Sequence, residues 1–275
     1  MATDRLLQSV RRQLAVGRLL PLGEATDGAW LAERAAAGVL RQAMRRLPGV
    51  RPGTVRVTVA DFEAVGEPVV PPPPGALPPG PLRIDAEFDA TADEPLPATA
   101  ERVRTALAEA ADGLLGLVVA AIDLRISGLS EGAVNEPARE EPPKEESRDG
   151  EPPADGGTDD TGGTGGALEA AVRNAASAVP GVVRLTSLSG DGSRPVRVGS
   201  ARGKAGGVPS GHHVHIRLAV SADHRALDVV RRVRAAVEPV VADGTLGPVS
   251  VTVLVTEVVE VTGRTDTAAR QAPAT

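Results

Sequence analysis

The chain has no cysteine and no tyrosine, a single tryptophan, Trp30, and two phenylalanines, Phe62 and Phe88. Without thiols it makes no disulfide, no cysteine zinc site, no iron–sulfur cluster and no thiolate nucleophile. With aromatics at 1% of 275 residues, the core has to be built from Val, Leu, Ile and Ala. Base recognition on an exposed aromatic sheet is not expected. Lysine is nearly missing as well: apart from Lys144 and Lys204, every basic side chain is an arginine. No apolar run approaches the roughly 18 residues of a membrane span. The longest, 114–122, includes Gly116. Arg11 and Arg12 stand near the N-terminus, but Arg18 interrupts the apolar stretch behind them. No small-residue cleavage site follows, so export is not expected and the chain reads as cytoplasmic.

Glycine and proline are abundant, at 31 and 24 residues, and they are concentrated. The net charge of −6 is concentrated too. Residues 131–166 hold eleven carboxylates against Arg139, Lys144 and Arg148, which gives that stretch −8 and leaves the rest at +2. It has little to bury beyond Val134 and a few alanines, so it cannot offset its ordering entropy. We read 130–166 as a disordered acidic linker, extended by self-repulsion and proline. A smaller Pro-rich insertion, 66–81, includes four consecutive prolines at 71–74.

Both sides of the linker carry the same plan. Arg41, Ala43, Pro48, Gly49 and Val50 recur as Arg173, Ala175, Pro180, Gly181 and Val182. Leu40, Ala43, Met44 and Leu47 have helical spacing, as do Leu168, Ala171, Val172, Ala175 and Val179. Each helix is stopped by Pro-Gly. Alternating strands follow: Val55, Val57, Val59, then Ile84, Ala86, Phe88 in the first copy, and Val214, Ile216, Leu218, Val220 in the second. A second helix then ends in Asp-Gly and Leu-Gly, with Gly113 and Gly244 suited to the left-handed position after it. The closing strands align Val118, Ala120, Ile122 and Leu124 with Val249, Val251, Val253 and Val255.

The expected fold class is α+β: two related helix–strand–strand–helix–strand two-layer sandwiches joined by the linker. The expected division is an N-terminal amphipathic helix and connector at 1–28, a first domain at 29–129 with its insertion at 66–81, the linker at 130–166, a second domain at 167–261 and a disordered tail at 262–275.

A helix ending P-G-V, a strand pair, a helix rich in V-R and A-V, and a glycine-led alternating strand resemble the alkaline shock protein family of bacterial envelope stress response proteins. The resemblance is carried by 41–50, 82–88 and 101–127 in the first copy and by 173–182, 214–220 and 231–257 in the second. Typical members carry one such domain with a shorter link between the strands. The resemblance implies a divergent tandem member: a non-catalytic protein, cytoplasmic, recruited to the membrane by a partner, with no catalytic residues and no cofactor.

The residues offer little chemistry of their own. His213 and His215 share one face of a strand. With His224 or Asp223 they would supply three ligands for Zn²⁺ or Ni²⁺. The plainer reading is the exposed start of an edge strand, and the site assignment for metal is none. This cluster is the basis of an alternative function, a small-ligand or divalent-metal binding module. The segment G-S-A-R-G-K-A at 199–205 echoes a phosphate loop, but Gly199 is one residue too close to Gly203 and Ala205 stands where Ser or Thr is required. It reads as a mobile loop. No nucleophile, base and orienter assemble, so no enzyme is expected.

The partner-binding candidates lie in the N-terminal segment. Leu6, Leu7, Val10 and Leu14 line one side of a helix, with Arg11 and Arg12 adding charge. Four aliphatics without an aromatic anchor make a weak interfacial helix. The expected partner is therefore a membrane-anchored protein adaptor, with at most weak direct contact with anionic lipid and no specific nucleic acid. Homo-oligomer formation is left open.

Overall fold

The computed structural model describes residues 17–130, 163–187, 194–202, 209–244 and 247–260. In chain order the elements are β1 (Leu19–Pro21), β2 (Ala29–Ala32), α1 (Glu33–Arg45), β3 (Val50–Val59), β4 (Leu82–Thr91), α2 (Leu96–Glu109), a π-helical turn (Ala110–Leu115), β5 (Val119–Ser130), α3 (Gly163–Ser177), β6 (Val182–Leu185), β7 (Val196–Arg202), β8 (Pro209–Ser221), α4 (Ala226–Gly244) and β9 (Val249–Val259). The fold is α+β. The N-terminal segment with Leu6, Leu7, Val10, Arg11, Arg12 and Leu14, most of the acidic linker and the tail after Glu260 lie outside the described residues.

The helices form where apolar residues recur at helical spacing, and most of those residues are buried or half-buried, although in α3 Ala171 is exposed and Ala176 is buried instead. α1 buries Ala36, Ala37, Leu40 and Met44. α2 starts with a proline in its first turn, where no intrahelical N–H is lost, and buries Thr99, Val103 and Leu107. α4 buries Val229, Val230, Val233, Val237 and Val241.

The two repeats share landmarks of register. β4 and β5 are parallel with Phe88 opposite Ile126 and then Asp89 opposite Gly128. β8 and β9 are parallel with Leu218 opposite Val255 and then Ala219 opposite Glu257. The same bulge therefore falls at the same place. Gly49 and Gly181 both have positive φ, 75° and 97°. Their carbonyls accept from Thr91 N (2.9 Å) and Ser221 N (2.8 Å), which ties each helix exit to the end of its central strand. The copies differ in the first strand. β3 runs through one irregularity between Pro52 and Val55. In the second copy β6 stops at Leu185, opposite Leu218, and β7 resumes at Val196, opposite Ile216. The irregularity of one copy is an excursion of the chain in the other.

Four sequence expectations need correction. The closing strands match two residues away from the expected alignment. By their pairing Ile122 and Leu124 correspond to Val251 and Val253, not to Val253 and Val255, because β5 carries an extra residue at Ala120, and Val118 precedes β5. The helix does not stop at Gly113. It continues through the π-helical turn so that Leu115 is buried, and the left-handed residue is Gly116, with φ 85°. The counterpart of Gly116 is Gly247, with φ 112°, while Gly244 ends α4. Residues 163–166, assigned to the linker, begin α3. Residues 199–202, read as a loop, belong to β7 and pair with β8; the rest of that segment, 203–205, lies outside the described residues.

The sheets also cross the boundary drawn at residues 28 and 29. β3, β4 and β5 form a three-stranded sheet. The other sheet runs β1-β2-β9-β8-β6, with β7 also on β8. Thus β2, immediately before the first repeat's own helix, pairs in parallel with the closing strand of the second repeat: Ala29 opposite Val253, Trp30 opposite Leu254, Leu31 opposite Val255. One apolar cluster spans both repeats, from Leu31, Leu40 and Phe88 to Ile216, Val233 and Val253. Each such fully buried aliphatic contributes roughly 1.5–3 kcal/mol relative to exposure. On the opposite face of the larger sheet Trp30, Leu19, Ala32 and Leu254 form a second cluster capped by Val70 of the Pro-rich insertion. That insertion is fastened by backbone bonds from Leu19 N to Gly75 O (3.3 Å) and from Leu77 N to Leu19 O (2.8 Å).

Candidate functional site

The histidines are not at an edge. β8 is an interior strand with β9 on one side and β6 and β7 on the other. Val214, Ile216, Leu218 and Val220 are buried in the main core, so His213 and His215 project from the other face. The relative exposure of His213 is 9%, and both its nitrogens meet hydroxyls of β9. Nδ1 lies 2.6 Å from Ser250 Oγ and Nε2 3.1 Å from Thr252 Oγ1. Burial holds the His213 pKa below its ordinary value. His215 stands edge-on to His213, with ring centroids 4.2 Å apart. Burial, His213 and the charges of Arg197 and Arg217 bring the His215 pKa down to about 4. At neutral pH both rings are therefore neutral.

This geometry bears on two chemistries. His224 lies beyond the end of β8, and six residues of strand, about 20 Å, separate His215 from Ser221. It packs instead at the first helix exit, where a Cβ on Gly181 would stand 3.1 Å from its Cγ. Asp223 is tied to Ser221 in the same turn. The three-ligand set of the sequence reading is thus split between the two ends of one strand. Among the described residues no three His, Asp or Glu side chains gather closely enough to hold a metal ion. Ser250 does approach His213, but the orienting group on the far nitrogen is the Thr252 hydroxyl. A hydroxyl does not stabilise an imidazolium as a carboxylate does, and the lowered pKa makes His213 a weak base.

The most elaborate polar arrangement is the seam between the repeats, which the sequence reading did not single out. Asp27, 7% exposed, lies in the turn between β1 and β2. Arg231 of α4 donates to both its carboxylate oxygens, Nε to Oδ1 at 2.8 Å and Nη2 to Oδ2 at 3.0 Å. The Glu24 N–H donates to Oδ2 at 2.8 Å. Arg234 donates to the carbonyls of Thr26 (2.8 Å) and Asp27. Burial pushes the Asp27 carboxyl up, but the Arg231 and Glu24 hydrogen bonds and the two guanidinium charges outweigh it and hold it below the ordinary carboxylate range. Nearby, Arg225, the residue just before α4, reaches across to the π-helical turn, with Nε on Asp112 O (2.8 Å) and Nη2 on Asp112 Oδ1 (2.6 Å). These pairs border a cleft of about 660 Å³ between the repeats, lined by Gly23, Glu24, Arg104, Gly116, Ile122, Arg225 and Arg231 among others. Arg104 is paired with Glu101. No local signal marks Asp27 or Arg231, because their meeting depends on a turn and a helix 204 positions apart.

The architecture is α+β: two similar units, each with its own sheet, the second sheet being extended by β1 and β2 from the chain before the first unit. No protein-family model matches the chain, and no curated protein matches it. No helix among the described residues is long and apolar enough to cross a membrane.

Proposed function

We propose that the chain is a non-catalytic interaction protein of the envelope-stress type, cytoplasmic and recruited to the membrane by a protein partner. The observation that carries this reading is the use of the seam's charged groups. The three arginines that line the cleft each hold a carboxylate: Arg104 on Glu101, Arg225 on Asp112 and Arg231 on Asp27. The Arg225 and Arg231 pairs serve docking across the seam, the Arg104 pair stays within α2, and with these groups spent on one another what remains for a partner is extended surface. The repeated order of helix, strands, helix and strand is the order on which the resemblance to alkaline shock proteins rests. The test is fractionation of native cells under alkaline stress, with and without candidate membrane partners. The protein is expected in the membrane fraction, and to leave it when its partner is deleted. A protein that stays wholly soluble under stress overturns the reading. Tight binding to protein-free anionic vesicles, abolished by Leu7→Glu with Leu14→Glu, replaces the partner with lipid.

A further inference from the structure

The two repeats treat the free side of their closing strand differently. In the second, β9 carries β2 along its outer edge, and Val251, Val253 and Val255 are fully buried. The pairings place Ile122, Leu124 and Ile126 of β5 at the same positions, since they face Ile84, Ala86 and Phe88 as the three valines face Val214, Ile216 and Leu218. Yet these three are only half-buried, and among the described residues β5 pairs with β4 alone. The first repeat thus presents an unpaired edge under incompletely covered aliphatics, a template for another strand.

We propose that this edge pairs with the β5 edge of a second copy of the chain, antiparallel about a two-fold axis at Leu124, independently of the functional reading above. The sequence of the edge selects this occupant. Between the irregularities near Ala121 and Gly128 the strand is regular. Centring on Leu124 sets Leu124 against its mate, Ile122 against Ile126, and Asp123 against Arg125 twice over. On an isologous interface each residue must suit its own symmetry mate, and opposite charges directly across a ladder are favourable whereas like charges are not. Asp123 and Arg125 already hold Arg83 (2.5 Å) and Glu87 (3.7 Å) on the adjoining strand, so pairing extends an alternating row of charge and leaves no ion bare. The result is a continuous six-stranded sheet, β3-β4-β5 followed by its symmetry mate, in which the aliphatics gain the cover that β2 gives β9.

The absence of native cysteine makes the test clean. Directly opposed residues of an antiparallel pair have Cα atoms about 4.5–5.5 Å apart, within disulfide reach. In the full-length chain, Leu124→Cys is expected to cross-link to itself under mild oxidation, and Arg56→Cys, on β3, is not. Light scattering of the wild type at micromolar concentration is expected to give twice the 28.0 kDa chain mass. Asp123→Arg, which sets arginine against Arg125, is expected to weaken dimerisation at least tenfold, and Asp123→Arg with Arg125→Asp to restore it; far-ultraviolet circular dichroism checks that each variant is folded. A wild type that stays monomeric to 100 µM (about a hundredfold excess over micromolar affinity), or a dimer indifferent to Asp123→Arg, overturns the proposal. A chain that dimerises only after removal of residues 1–16 assigns the edge to that segment, which also overturns it.

Discussion

Leu227, near the start of α4, lies over Gly116, which closes the π-helical turn of the other repeat. A Cβ on Gly116 would stand 2.4 Å from the Leu227 Cβ. Two requirements therefore meet at one residue: a left-handed backbone, φ 85°, and a bare Cα against which α4 docks. Gly116→Ala is expected to destabilise the protein by about 2–4 kcal/mol, adding a left-handed penalty to an overpacked contact. Gly113, with nothing near its missing Cβ, is the control. Gly113→Ala is expected to leave stability unchanged or raise it by up to about 1 kcal/mol. Urea unfolding curves of the two variants distinguish them, and equal midpoints would refute this account of the turn.

Asp27 and Arg231 make the second link across the seam. Asp27→Asn leaves the guanidinium without its carboxylate and is expected to cost about 2–3 kcal/mol, in the range of a hydrogen bond to a charged group. The pH dependence follows from the sign of the shift. The folded pKa lies below the unfolded one, so the pair's contribution is complete above about 4, the ordinary Asp value, and is lost as pH falls through the lower folded value. Unfolding midpoints measured from pH 6 down to pH 2 should fall less steeply in Asp27→Asn than in the wild type.

His215 gives the chain a second acid-sensitive element at higher pH. Its folded pKa of about 4 lies below the ordinary value of 6.5, so the unfolded chain takes up this proton first. Stability from this group is complete above 6.5 and is lost as pH falls from there toward about 4, by roughly 1–3 kcal/mol in total. His215→Gln should flatten the stability profile in that window and leave it unchanged above pH 7. Proton NMR titration of the imidazole provides a direct check: a midpoint near 6.5 would contradict the burial seen here.

Trp30 offers an optical test of the Pro-rich insertion. As the sole tryptophan, 1% exposed and packed with Val70 and Leu19, it should fluoresce at the blue end of the indole range. Val70→Ala is expected to cost about 1–2 kcal/mol by opening a cavity over the indole. It should also shift the emission to the red and increase quenching by acrylamide. Unchanged emission would show that the insertion does not cover Trp30.

The doubled unit was legible from local chemistry. Helical spacing in 40–47 and 168–179, the Pro-Gly stops, and alternation at Ile84–Ala86–Phe88 and Val214–Ile216–Leu218 are signals carried by neighbouring residues, and the structure places elements on each. Glycine assignment failed at Gly113 because both glycines of the D-G-x-L-G turn permit left-handed backbone. Burial of Leu115 and the approach of Leu227, neither of them local, select Gly116. The histidines were misplaced to an edge for a related reason. Alternation tells which residues share a face, but whether a strand lies inside a sheet depends on what pairs beside it.

By itself, then, the sequence determined the aliphatic core, the repeat and the order of its elements, because propensity, periodicity and turn chemistry act over a few residues. Tertiary structure decided that β2 joins β9 across 224 positions of chain, that Asp27 meets Arg231, and that among the described residues β9 is covered while β5 is not. Strand edges pair through backbone N–H and C=O groups common to almost every residue. Within the chain, which edges meet is settled by what the packed helices bring together; side-chain charge and size along an edge then decide which register suits it.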